Sequence, residues 1–229
     1  MAENIGAVAR AMLNFGFLNL RLVSPRENHL SDRALAMAAG AGRVLDQAQV
    51  FDNVSDACKD LNEVLATSAR ARYKFKDVLD PITGCNNIYQ SCISGVKVGI
   101  LFGGERAGLS NEDLFLAKRL IRIPSNPIFS SLNLAQSVLL ICYQLNACSL
   151  EKSAGSSQTN IPITKANYEE IQAFATRLED ELDKNKFFYP EGKKKRMKTR
   201  LRKLIYGLEL NKEDVKILHG VLKSLIKKN

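Results

Sequence analysis

The sequence predicts an α/β domain built on a mostly parallel sheet, followed by a small, basic, all-helical segment. Three observations carry this. Short apolar runs of strand character alternate with helical periodicities as far as residue 150. One run, VKVGILF at 96–102, is apolar almost throughout, as a strand covered on both faces must be. Beyond residue 164 only helical spacing remains and the charge turns basic. Lys+Arg outnumber Asp+Glu by only 15 to 13 before residue 151, but by 18 to 11 from there on.

The elements follow in order. Ile5, Val8, Ala9, Met12 and Leu13 recur at helical spacing, and Gly16 stops that helix. LRLVSP, 20–25, is a short strand. SDRALAMAAG opens on a serine cap and closes on glycine, a helix. AQVF and EVLATS are strands around the helix NVSDACKDL. VKVGILF is the next strand, and Ser110 with Asp113 forms a capping pair for NEDLFLAKRL. LIRIP is a further strand, and LNLAQSVLLICYQL is a long apolar helix. Residues 151–164 are polar, rich in Ser, Gly and Pro, and lack periodicity, so they read as a linker. The expected organisation is a domain over 1–150, a linker over 151–164 and a helical domain over 165–229.

In that last part Tyr168, Ile171, Phe174 and Leu178 mark one helix. Eight of the eleven residues at 193–203 are basic, with Met197, Leu201, Leu204 and Ile205 as a narrow apolar face. Such a run is either a solvated face or a phosphate-binding surface for RNA. The candidates for phosphate contacts are Lys194, Arg196, Arg200 and Lys203. The final helix is expected to pack by Val215, Leu218, Val221, Leu222 and Leu225.

Composition excludes several classes. No run of about 18 apolar residues is present, so no membrane span is expected. The N-terminus lacks the charged-then-apolar pattern of a signal peptide. The five cysteines form no CxxC pair, which argues against a zinc site and for buried, reduced thiols of a cytoplasmic protein. His29 and His219 read as structural or solvated.

In parallel sheets, ligands sit beyond the carboxyl ends of the strands. Three polar segments fall there: ATSAR at 66–70, FGGERAG at 102–108 and PSNPIFSSLN at 124–133. Taken singly, each is an ordinary turn or cap. Taken together, they converge on one sheet edge.

The stretches NIGAVARAMLNFGF, LFGGERAGLSNEDL and IPSNPIFSSLNLAQSV, with ATSAR between the first two, resemble the motifs of the SpoU branch of SPOUT RNA methyltransferases. The doubled serine of FSSLNLA and the basic helical tail resemble the TrmJ subgroup, which methylates cytidine and uridine ribose in tRNA. The resemblance implies a parallel-sheet SPOUT domain closed by a C-terminal trefoil knot. It also implies S-adenosylmethionine bound bent in the knot, a cytoplasmic homodimer formed through that domain, tRNA as substrate, and no structural metal. Position by position, it implies that Thr67, Ser68, Ala69, Gly103, Ile123, Ser130, Ser131 and Leu132 contact the cofactor. Gly103 suits this because a backbone without Cβ can approach a ligand closely. Arg10 matches the catalytic arginine, with Asn4, Glu105, Ser131 and Asn133 positioning substrate and loops.

The implied chemistry is methyl transfer to a ribose 2′-hydroxyl, the family's usual target being the anticodon loop at position 32. Arginine is hard to deprotonate, so Arg10 is expected to hold phosphate and polarise the hydroxyl rather than act as base. The alternatives are a ribosomal RNA or other tRNA target, or a non-catalytic RNA-binding protein on the same fold. The family also has an apolar strand before its first motif, whereas this sequence opens at MAENIG. Either a start lies upstream, or the sheet lacks a strand.

Overall fold

The computed structural model describes residues 1–69, 77–153 and 165–226, and in them every pairing between extended strands is parallel. The elements of the first part run α1 (Ala2–Asn14), β1 (Arg21–Val23), α2 (Asp32–Ala38), α3 (Gly42–Asp46), β2 (Gln49–Phe51), α4 (Val54–Cys58) and β3 (Glu63–Thr67). They continue with β4 (Val78–Leu79), α5 (Pro81–Ile93), β5 (Val98–Leu101), α6 (Asn111–Leu116), β6 (Arg119–Ile121) and α7 (Leu134–Ser153). The tail contains α8 (Tyr168–Lys184), a 3₁₀ turn (Glu191–Lys193), α9 (Lys194–Tyr206) and α10 (Lys212–Ile226).

The strands form two sheets. β1 pairs with β2, and a larger sheet has the order β4-β6-β3-β5. β3 is central in burial, with residues 63–66 all buried, because it is flanked by β5 and β6 and roofed by helices. Its Leu65 packs with Cys85, Ile88, Ile121 and Ile141 under α5 and α7. Val64 and Ala66 face Cys58, Leu114 and Leu120. A third cluster joins α1, α2 and α3 to α7, and Phe102 at the end of β5 shares it with Leu20 and Leu22 beside β1. Close packing of α1 on α2 requires Gly6, since a Cβ there would lie 2.1 Å from the Ala34 carbonyl oxygen.

Several starts follow local chemistry. The side chains of Ser31, Asn53, Asp80, Ser110 and Asn167 each accept the backbone N–H three residues on. Ser110 and Asp113 complete the expected capping box. Three elements were not read from the sequence: α3, β4 and α5. The expected linker begins inside α7, which runs to Ser153; its remainder falls on 154–164, outside the described residues.

The tail has its own core, in which Ile171, Phe174 and Ala175 of α8 meet Ile205, Val215 and Leu222. Two expectations change here. Leu204 of α9 is exposed, and so are Val221 and Leu225 of α10, because α8 covers only the Val215–Leu222 side of that helix. The tail docks at the amino ends of the strands. Tyr168 N–H donates to the Leu61 carbonyl at 3.0 Å, and Asn62 Nδ2 donates to the Lys165 carbonyl at 3.0 Å. Glu63, 5% exposed, takes Lys165 Nζ at 3.2 Å and Ser91 Oγ at 3.1 Å, with Arg119 Nη1 at 3.8 Å. Lys118 pairs with Glu209, and the Tyr168 hydroxyl donates to the Leu116 carbonyl.

Candidate active site

The sheet order puts β6, β3 and β5 side by side and parallel, so the segments that follow them emerge at one edge, within about 10 Å at the usual strand spacing. Hydrogen bonds fasten them together. Thr67 Oγ1 donates to the Leu101 carbonyl at 3.3 Å, and Ser68 N–H donates to the Ile121 carbonyl at 3.2 Å. Ala69, the last described residue of its segment, is exposed.

The segment after β5 folds back on itself. Gly108 N–H donates to the Gly104 carbonyl at 2.8 Å, and Gly108 lies in the left-handed region with φ 68°. Gly103 has a reason beyond the one expected. A Cβ on it would lie 2.4 Å from the backbone of Gly108 and Leu109, so the loop's own return strand occupies that space. Gly104 instead faces open space, with no atom within 4 Å of a Cβ placed there.

The segment after β6 turns at Asn126, whose side chain accepts the Ile128 N–H at 3.0 Å, and Ser125 Oγ donates to the Ser130 carbonyl at 3.0 Å. Ile123, Ser130 and Leu132 are half-buried and Ser131 is exposed. Asn133 begins α7 by accepting the Ala135 N–H at 2.9 Å.

Three residues far apart in sequence meet here. Asn4, 9% exposed at the start of α1, donates through Nδ2 to the Glu105 carboxylate and accepts from Asn133 Nδ2 at 3.3 Å. The Asn4 hydrogen bond holds the Glu105 carboxyl below the usual carboxylate range, so the group is an anion at neutral pH. α1, the β5 loop and the start of α7 are thereby held in one arrangement. Arg10 stands apart from this network: it is exposed on the solvent side of α1, with no ion pair among the described residues.

Burial pushes the thiols of Cys58 and Cys142 up to about 11 and Cys85 up to about 12, which makes them poor nucleophiles and fits structural, reduced cysteines. No cluster of His, Cys, Asp and Glu able to hold a metal occurs among the described residues. No described helix is long and apolar enough to cross a membrane.

The basic helix is divided by its ion pairs. Lys194 Nζ lies 2.9 Å from Asp183, Lys198 Nζ 3.0 Å from Asp183, and Arg202 forms a two-point contact with Glu179 at 2.6 and 2.8 Å. That stripe of α9 is taken up by α8, so Lys194 is a weaker candidate for phosphate than the sequence suggests. Arg196 and Arg200 face solvent without an ion pair among the described residues. Lys203 is half-buried, and desolvation with the neighbouring Arg200 lowers its pKa. Of the residues that anchor the tail, Glu63 and Lys165 were not singled out beforehand, and Tyr168 was read only as part of the apolar face of its helix. A charged residue opening an apolar strand, as Glu63 does, was the available signal.

Residues 1–143 match the model of the SpoU rRNA Methylase family. The crystal structure of TrmJ from Z. mobilis ZM4 is 41% identical, with a TM-score of 0.86, over 98% of this chain and 94% of that one. The tRNA (cytidine/uridine/adenosine-2′-O-)-methyltransferase TrmJ of Pseudomonas aeruginosa is 35% identical over 96% of this chain and 87% of its own length. A probable methylase family protein from Haemophilus influenzae is 32% identical, with a TM-score of 0.65, over 100% of this chain and 92% of that one.

Proposed function

The chain belongs to the SpoU methylase family, and we propose that it transfers a methyl group from S-adenosylmethionine to a ribose 2′-hydroxyl of tRNA. The observation that carries this reading is the joining of three strand-end segments into one site, tied to α1 through Asn4, Glu105 and Asn133. The same strand-end segments carry the residues that the family resemblance assigns to the cofactor.

The residues fit S-adenosylmethionine. The open space beside Gly104, the hydroxyls of Ser130 and Ser131, and the partly exposed apolar side chains of Phe102, Ile123 and Leu132 offer neutral polar partners and apolar surface to an adenosyl group. Thr67, Ser68, Ala69 and Gly103 complete the set, and the segment after β6 forms the knot. The cofactor supplies a methyl group on a positively charged sulfur. The protein must then align a hydroxyl that is a weak nucleophile, and positioning alone can supply much of the rate. Arg10, exposed on α1, holds the phosphate beside the target ribose and polarises its hydroxyl; a guanidinium does not give up its proton readily enough to serve as base. Asn4, Glu105 and Asn133 fix α1 against the loops, and Ser131 and Asn133 border the substrate.

The tail docks tRNA through the solvent side of α9, with Arg196 and Arg200 at its centre. Because the tail is anchored at the amino ends of the strands and the loops lie at the carboxyl ends, the RNA spans the five residues of β3, about 17 Å, or meets the loops of a second protomer. A homodimer through the knot domain is supported by the exposed Leu139, Leu140 and Tyr143 of α7 and by the exposed Ile128 and Phe129 of the segment that leads into it. The target is cytidine or uridine at position 32 of the anticodon loop, and the location is cytoplasmic.

Calorimetry should detect one saturable S-adenosylmethionine site, and ribose-methylation mapping of RNA from cells with and without the gene should change in tRNA. Arg10→Ala should abolish transfer while leaving cofactor binding intact. Methylation that changes only in ribosomal RNA, or an active Arg10→Ala enzyme, would overturn the reading.

A further inference from the structure

Helix α9 is entered from a turn with three consecutive aromatic residues, Phe187, Phe188 and Tyr189, and the fold treats them differently. Phe188 is 3% exposed, with Lys198 Nζ 5.3 Å from its ring centroid. Phe187 is 54% exposed and rests edge-on against Phe188, ring centroids 5.3 Å apart at 79°. Tyr189 is 81% exposed. Two large rings thus stand in solvent beside a ring that is anchored. Most charges around them are cationic: Lys186 precedes them, and Lys193, Lys195 and Arg196 follow within two helical turns, all without an ion pair among the described residues, while the intervening Glu191 lies 3.4 Å from Lys194.

Rings and cations together define what can cover this corner. A purely apolar partner would strip water from the cations without replacing it. Paired RNA offers phosphates but keeps its base faces stacked inside the duplex. Unpaired nucleotides satisfy both, with phosphates for the cations and exposed base faces for the rings. We propose that Phe187 and Tyr189 form a stacking platform for unpaired bases of the substrate RNA, with Lys193, Lys195 and Arg196 taking the adjoining phosphates. The site selects RNA that presents a single-stranded loop. This rests on the reading that the tail docks tRNA, and it adds to charge a requirement for unstacked bases.

The chain contains no tryptophan, so Tyr189→Trp introduces a lone tryptophan at the platform, which can be excited apart from the tyrosines. Its emission should be quenched, saturably, by an RNA hairpin with an unpaired loop, and not by a blunt duplex with the same number of phosphates at the same salt. In the full-length protein, Phe187→Leu with Tyr189→Leu should weaken hairpin binding about 10- to 100-fold and leave the salt dependence unchanged. Arg196→Glu with Arg200→Glu should weaken binding and flatten the salt dependence. Both replaced rings are largely exposed, so an unchanged denaturation midpoint serves as the folding control. Parent-like hairpin affinity of the double leucine variant, or equal quenching by the duplex, overturns the platform. If the arginine variant also binds like the parent, the tail's role in docking RNA fails with it; if only the leucine variant does, the platform alone fails.

Discussion

Replacing Gly103 by alanine tests whether the loop after β5 is held by its own backbone. An ideal Cβ would stand 2.4 Å from the Gly108 carbonyl carbon and the Leu109 nitrogen, and 2.6 Å from Gly108 Cα. Ordinary contact begins near 3.4 Å, so the returning strand must move by about 1 Å. The obstacle is backbone and cannot rotate aside as a side-chain tip would. The movement strains the Gly108-to-Gly104 hydrogen bond, 2.8 Å in the parent, and the bridge between those residues. Overpacking of this kind costs about 1–3 kcal/mol. In a chain of this size that lowers Tm by about 2–12 °C. If the strain falls on the conformation that binds cofactor, affinity falls about tenfold for each 1.4 kcal/mol. Thermal denaturation and S-adenosylmethionine calorimetry read the two effects. Gly104→Ala is the control for stability, since its Cβ meets nothing within 4 Å and Tm should barely move. A Gly103→Ala protein with the parent's Tm and cofactor affinity refutes the reasoning.

Asn4→Ala should raise the Glu105 pKa toward 4.5, because the hydrogen bond that depresses it is gone; a carboxyl NMR titration checks this. The sign follows from that shift: in the parent, Glu105 contributes stability above about pH 4.5 that is lost as pH falls through its depressed value, and Asn4→Ala should shrink this acid limb, the N-terminal ammonium 3.7 Å away keeping the remainder. Glu63→Ala leaves Lys165 without its buried carboxylate, while Arg119 keeps Glu209 at 3.8 Å, and should cost about 1–3 kcal/mol in a urea titration; an unmoved midpoint would mean the tail is held by its apolar contacts alone. Leu140→Glu with Tyr143→Glu should convert the proposed dimer to monomer in light scattering while the far-ultraviolet dichroism stays unchanged; a persisting dimer places the interface elsewhere.

The sequence by itself determined the alternation of strands and helices, the basic tail and many helix starts, because these depend on neighbours three or four residues away. Ser110 with Asp113 is legible for that reason: both halves of the capping box lie within one turn. α5 was missed although Asp80 and Pro81 announce it, since its buried side is Gly84, Cys85 and Ile88 while Ile82 and Ile93 stand in solvent, which blurs the hydrophobic period. Gly84 is small because Ile121 fills the space, with a Cβ there 2.8 Å from its Cγ1. The family motifs put Asn4, Glu105 and Asn133 on one list of polar positions, but only the tertiary structure joined them. Asn4 lies 101 residues from Glu105 and 129 from Asn133, and their meeting depends on β6 inserting between β4 and β3 and on α7 returning over α1. The same holds for charge. Composition counts Lys194 and Arg196 alike, yet α8 places Asp183 beside the first and leaves the second to solvent. A side chain's type is written locally, whereas its freedom to bind depends on which distant groups the fold packs against it.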